Sequence, residues 1–124
     1  MGLAYHPNYL VWCEVARTDF IRELGTTYAE IEGAGIYLVV AEASIRYAAP
    51  AQYDDWIRVD AWLERVQSRA VTFGYEIVRE DPGGTSRLAT ATTRLIAVDE
   101  SGTPRTLPTL LLRKFGEALA GGNS

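Results

Sequence analysis

Four segments between residues 36 and 98 alternate apolar and polar side chains with a period of two, and a single helix-length segment precedes them. That order constrains the architecture strongly. Strands of one sheet must bury a face, and one helix is what the chain offers to cover it. The first segment runs Ile36, Leu38, Val40 and then Ala43, Ile45, Tyr47, with the phase slipping by one at Ala41-Glu42, the mark of a bulge. Residues 56–65 set Ile57, Val59, Ala61 and Leu63 against Arg58, Asp60 and Glu64, and residues 69–80 continue with Val71, Phe73, Tyr75 and Ile77 on one face. The link between them, Val66 to Ser68, is short enough for a hairpin. Asp81-Pro82-Gly83-Gly84 signals a turn, and a fourth strand over 86–98 ends at Glu100-Ser101-Gly102.

The spacing predicts the helix over 8–24. Tyr9, Cys13, Ala16, Phe20 and Leu24 recur every three or four residues on one face, with Glu14, Thr18 and Arg22 on a polar face. Asn8 after Pro7 is the candidate N-cap and Gly25 the candidate stop. A short helical or irregular stretch over Thr27 to Glu32 follows, and Pro108 opens a C-terminal helix through Leu112 and Phe115. The glycine-rich tail at 121–124 reads as frayed. The expected class is α+β: one domain over 1–124, an antiparallel sheet wrapped around one long helix, with apolar surface left for a partner chain.

Composition removes several functions. A net charge of −4 and a pI near 5.0 argue against non-specific nucleic-acid binding, which needs a basic face to displace counterions. Cys13 is the single cysteine, so no intrachain disulfide forms and a reducing, cytoplasmic setting is expected. No apolar run reaches the roughly 20 residues of a membrane span. One His and one Cys fall short of a zinc ligand set, and neither a phosphate-binding glycine loop nor a G-x-S-x-G elbow is present. No metal and no cofactor are expected.

The residues left to carry chemistry are few. His6, the single histidine, lies just before the helix, where unpaired backbone N–H groups could hold a carbonyl oxygen or a developing oxyanion; the plainer reading is a packed loop histidine. Glu14 stands eight positions further on. It is either a surface carboxylate, with Arg17 as a ready ion-pair partner, or a nucleophile or general base facing a cleft. Ser68 and Arg69, with Arg65 nearby, make the hairpin turn the most basic local stretch, either solvated or a dock for a phosphate-bearing ligand. Cys13, on the apolar helix face, reads as a buried inert thiol.

Gly2-Leu3-Ala4-Tyr5-His6-Pro7-Asn8-Tyr9, followed by Trp12-Cys13-Glu14-Val15-Ala16-Arg17, resembles the opening of the YbgC and 4-hydroxybenzoyl-CoA thioesterase family, with its D-x-D-x-x-G-x-x-Y-H-x-x-Y and W-x-E-x-A-R segments. Ala49-Pro50-Ala51-Gln52-Tyr53-Asp54-Asp55 resembles that family's strand-linking segment. The resemblance implies the hotdog fold, no cofactor, and hydrolysis of an acyl-CoA or acyl-carrier thioester at sites between two subunits of a homodimer or homotetramer. It implies a carbonyl polarised by the His6 amide, with His6 and Tyr5 in the catalytic group and Gly2, Asn8 and Tyr9 beside the substrate. Ser68 and Arg69 would meet the nucleotide.

The family's catalytic Asp falls three positions before the glycine matched by Gly2, ahead of Met1, and its first strand lies there too. One expectation is a longer natural chain in which Met1 is internal; the other is a chain that lacks the Asp and works poorly. Glu14 resembles the helix carboxylate of another hotdog branch, two turns past the oxyanion amide, and is the candidate substitute. A non-catalytic acyl-CoA-binding or assembly subunit is the alternative from a different class. A hotdog dehydratase or isomerase fits the Tyr-His-x-x-Tyr segment less well.

Overall fold

The computed structural model describes residues 6–49 and 56–121. Its elements are α1 (His6–Glu23), α2 (Tyr28–Gly33), β1 (Tyr37–Tyr47), β2 (Trp56–Val66), β3 (Ala70–Asp81), β4 (Gly84–Val98) and α3 (Thr109–Ala120). The four strands form one antiparallel sheet in the order β1-β4-β3-β2, so β1 and β2 are its edges. Helix α1 lies across the face formed by β2 and β3.

Packing follows the period-two pattern. Phe73, Tyr75 and Ile77 of β3 are fully buried beneath α1, with Leu63 from β2 and Ala89, Ala91, Leu95 and Ala97 from β4 beside them. Phe73 is the hub: its ring meets Phe20 of α1 edge-on at 5.5 Å and Phe115 of α3 at 6.1 Å. The phase slip in the first strand is a bulge between Val40 and Glu42, where expected. The hairpin between β2 and β3 also forms as expected, with a second register shift between Leu63 and Arg65. On the opposite face the indole of Trp62 lies so close over Gly74 that a Cβ there would sit 2.6 Å from its nitrogen; the missing side chain makes room for the ring.

The helix ends differ in how well local chemistry marks them. Gly25, at φ +92, follows α1 as its stop, and its N–H donates to Arg22 O. The amine of Lys114 on α3 donates to Leu24 O at 2.7 Å, supplying a cation at the same helix end. Thr27 caps α2 by accepting from the Glu30 amide. At the other end, the expectation of an N-cap at Asn8 is corrected: α1 begins at His6, so Asn8 lies within the first turn. Pro7 is tolerated there because a first-turn N–H needs no intrahelical acceptor.

Candidate active site

The start of α1 is where backbone donors collect. The first N–H groups of a helix have no acceptor within it, so the turn beginning at His6 presents amides to whatever lies beyond it. Gly2 and Tyr5 lie outside the described residues, as do residues 50–55, and the side chains of His6 and Asn8 are outside the description as well. Tyr9 is placed: it is 2% exposed, and its ring packs 5.1 Å from Trp12 and 5.0 Å from Tyr47 of β1. It therefore joins the helix start to the edge strand.

Glu14 is exposed, two turns along α1, and its carbonyl accepts the hydroxyl of Thr18 at 2.8 Å. With a rise of about 1.5 Å per residue, the His6 and Glu14 positions stand roughly 12 Å apart along the axis. Around it the surface of α1 is unexpectedly apolar: Leu10, Val11 and Val15 are all exposed. The helix thus carries apolar residues toward the sheet and away from it. A cleft of about 370 Å³ opens between α1 and β2, lined by Trp12, Val15, Ala16, Ile57 and Val59, with Asp19 and Arg58.

The pairing of Arg17 with Glu14 is corrected. Arg17 turns inward, 6% exposed, in the stripe Tyr9, Cys13, Arg17, Ile21 that faces the core. Its Nε donates to the hydroxyl of Tyr28 at 2.8 Å and its Nη1 to that of Tyr75 at 3.0 Å. The Tyr75 hydroxyl in turn lies 2.6 Å from Thr93 Oγ1. Burial works against the guanidinium charge, yet the two phenol oxygens hold its pKa above the ordinary value. Burial raises both phenols, with Arg17 pulling each the other way. Sequence reasoning missed this network because a helical wheel counts every arginine as polar surface. Cys13 beside it is buried, and desolvation pushes its thiol to about 11.

Ser68 and Arg69 are exposed at the β2–β3 turn. Their backbones are fixed, Ser68 O accepting from Leu107 N at 2.8 Å and Arg69 O from Ala97 N at 3.0 Å. Arg65 and Arg94 flank Thr72 in adjacent register positions near that turn. Among the described residues no carboxylate pairs with Arg65, Arg69 or Arg94. The same residues contain no cluster of His, Cys, Asp and Glu able to hold a metal ion, and no helix long and apolar enough to cross a membrane.

Known proteins match this chain in sequence and in fold. The Thioesterase superfamily model matches residues 1–86. The putative acyl-CoA thioesterase YneP of Bacillus subtilis is 37% identical over 100 residues, covering 81% of this chain and 70% of that protein. The acyl-CoA thioester hydrolase YbgC of Escherichia coli is 25% identical over 115 residues, 92% of this chain and 84% of its own. Among solved structures, the DHNA-CoA thioesterase of Staphylococcus aureus superposes with a TM-score of 0.89 at 31% identity, covering 97% of this chain and 81% of that one.

Proposed function

This chain belongs to the thioesterase superfamily and is a hotdog-fold thioester hydrolase, and we propose that it works on acyl-CoA as a cytoplasmic homo-oligomer whose active sites each draw on two copies. The observation that carries the shared site is the separation of roughly 12 Å between the His6 and Glu14 positions on one rigid helix. With that separation fixed by the helix, a thioester polarised at the amide meets a carboxylate more readily when the carboxylate comes from a second copy. Two copies related by a twofold axis, with their α1 helices antiparallel, bring the Glu14 of one toward the helix start of the other.

The surface favours the same assembly. Leu10, Val11 and Val15 line the outward side of α1, and Val39, Val40 and Tyr47 stand exposed on the edge strand β1. A helix apolar on both sides is a helix that becomes covered, and an unpaired strand edge is a template for a second strand. Pairing along β1 would continue the sheet and cover these residues together.

In the reaction, the amide at His6 polarises the thioester carbonyl. Glu14 of the other copy takes a proton from water, whose oxygen bonds to the carbonyl carbon. The tetrahedral intermediate collapses by breaking the C–S bond, and the departing CoA sulfur takes the proton that Glu14 accepted from water. Tyr9 packs beneath the helix start that carries the amide. The turn at Ser68 and Arg69 receives the phosphates of CoA, with arginines that no described carboxylate pairs, on an otherwise acidic chain, as the support. The buried thiol of Cys13 suits a reducing compartment.

The test is complementation. His6→Pro removes the amide hydrogen at a position where proline fits, and His6→Ala separates the loss of the side chain. Glu14→Gln removes the base. Each of His6→Pro and Glu14→Gln alone should keep only a low residual rate, the loss of a general base costing about 10²–10⁴-fold. Mixed copies should recover about a quarter of wild-type activity, since half the dimers are heterodimers with one intact site. Mixtures as inactive as their components would overturn the shared site.

A further inference from the structure

Arg17 is a buried cation with no carboxylate beside it among the described residues. Such a charge is costly unless its donors are used, and methionine or leucine would fill the same core position at less expense. What the guanidinium does that an apolar side chain cannot is bond in two directions at once. One arm reaches Tyr28 on α2 and the other Tyr75 on β3, which continues to Thr93 on β4. Three elements are thereby tied to one residue in the middle of α1. Apolar packing on a helix tolerates small axial rotations, whereas a planar guanidinium bonded to two fixed hydroxyls does not.

Glu14 lies one turn before Arg17, and the Tyr28 hydroxyl that accepts from Arg17 also feels the negative charge of Glu14. The rotation of α1 about its axis decides whether that carboxylate points to the partner copy or off to one side. We propose that Arg17 is a positioning residue: through Tyr28, Tyr75 and Thr93 it fixes the rotation of α1 and so holds Glu14 in its catalytic orientation. This inference rests on the catalytic role proposed for Glu14 and adds a residue that never touches the substrate.

The experiment measures kcat and KM for an acyl-CoA thioester in Arg17→Lys and Tyr28→Phe, each in the Glu14 and the Glu14→Gln background, with folding checked by circular dichroism. Lysine keeps the charge but cannot span both phenols; Tyr28→Phe removes one arm and leaves the charge paired with Tyr75. With Glu14 present, kcat should fall about tenfold or more while KM stays within about twofold, as expected for misplacement on the scale of 1 Å. In the Glu14→Gln background the same changes should cost little further, because two residues acting as one unit are not additive. Equal fold-losses in the two backgrounds, or unchanged kcat in folded Arg17→Lys and Tyr28→Phe, would overturn the positioning role. Full activity of Glu14→Gln alone is a separate outcome, and it would overturn the Glu14 assignment together with what rests on it.

Discussion

At the scale of single residues, the same burial that makes Arg17 informative makes Cys13 silent. Desolvation moves the Cys13 thiol from 9.0 to about 11, the charge of Arg17 pulling only part of the way back. A thiol that holds its proton reacts slowly, since the thiolate is the nucleophile. Native protein should therefore resist Ellman's reagent at pH 8 and react at once in denaturant; rapid modification of the folded form would contradict the burial. The linkage has a definite sign. The unfolded thiol ionises near its ordinary value while the folded one stays protonated, so its contribution to stability is complete below pH 9 and falls away between 9 and about 11. Cys13→Ala should flatten the decline of stability across that window in a denaturation series. Arg17 shows where reading a sequence by residue type stops: its two acceptors lie 11 and 58 positions away, and nothing local announces them.

At the scale of elements, the period-two pattern was legible to within a residue or two. The first strand, expected over 36–47, is Tyr37–Tyr47 with its bulge in place, and the last begins at Gly84 rather than 86. That shift arises because Gly84, at φ +137, both ends the turn and pairs with Asp81. The order β1-β4-β3-β2 could not be read from local pattern, because it depends on β1 crossing to meet β4 in preference to its sequence neighbour. Of the candidate site, the helix start and Glu14 were proposed from a motif, whereas the inward turn of Arg17 and the cleft along β2 had no sequence signal, both being products of how α1 seats on the sheet. One tertiary tie lends itself to a direct test. Lys114 of α3 donates to the carbonyl of Leu24, just past the end of α1, joining two helices that both pack on Phe73. A hydrogen bond from a charged donor contributes about 1.5–3 kcal/mol, so Lys114→Met should lower the unfolding free energy by about that amount. Urea denaturation reads it directly, and an unchanged midpoint would mean that the tie is replaced by water.

At the scale of the whole molecule, charge is unevenly spent. The chain carries −4 overall, and five of its eleven arginines pair with carboxylates among the described residues, as Arg58 does with Asp60 and Glu80 and Arg87 with Glu76. Of the six with no carboxylate partner among the described residues, Arg65, Arg69 and Arg94 gather toward the β2–β3 turn, whose backbone is pinned by Ala97 and Leu107. A fixed turn whose guanidinium groups meet no described carboxylate suits phosphate, which planar donors bind in pairs, and its attraction for a polyanion operates over about a Debye length. The nucleotide of CoA is such a polyanion; the pantetheine arm alone is not. Arg69→Ala should then raise KM for acyl-CoA several-fold and leave kcat near wild type, the pattern of a contact made equally in ground and transition states. Raising the salt from 50 to 500 mM should raise KM in the wild type more than in Arg69→Ala, because screening removes what the substitution has already removed. An acyl-pantetheine substrate should respond to neither. If Arg69→Ala weakens acyl-pantetheine as much as acyl-CoA, the turn acts on the shape of the acyl site and not on phosphate, and the arginines belong to the surface alone.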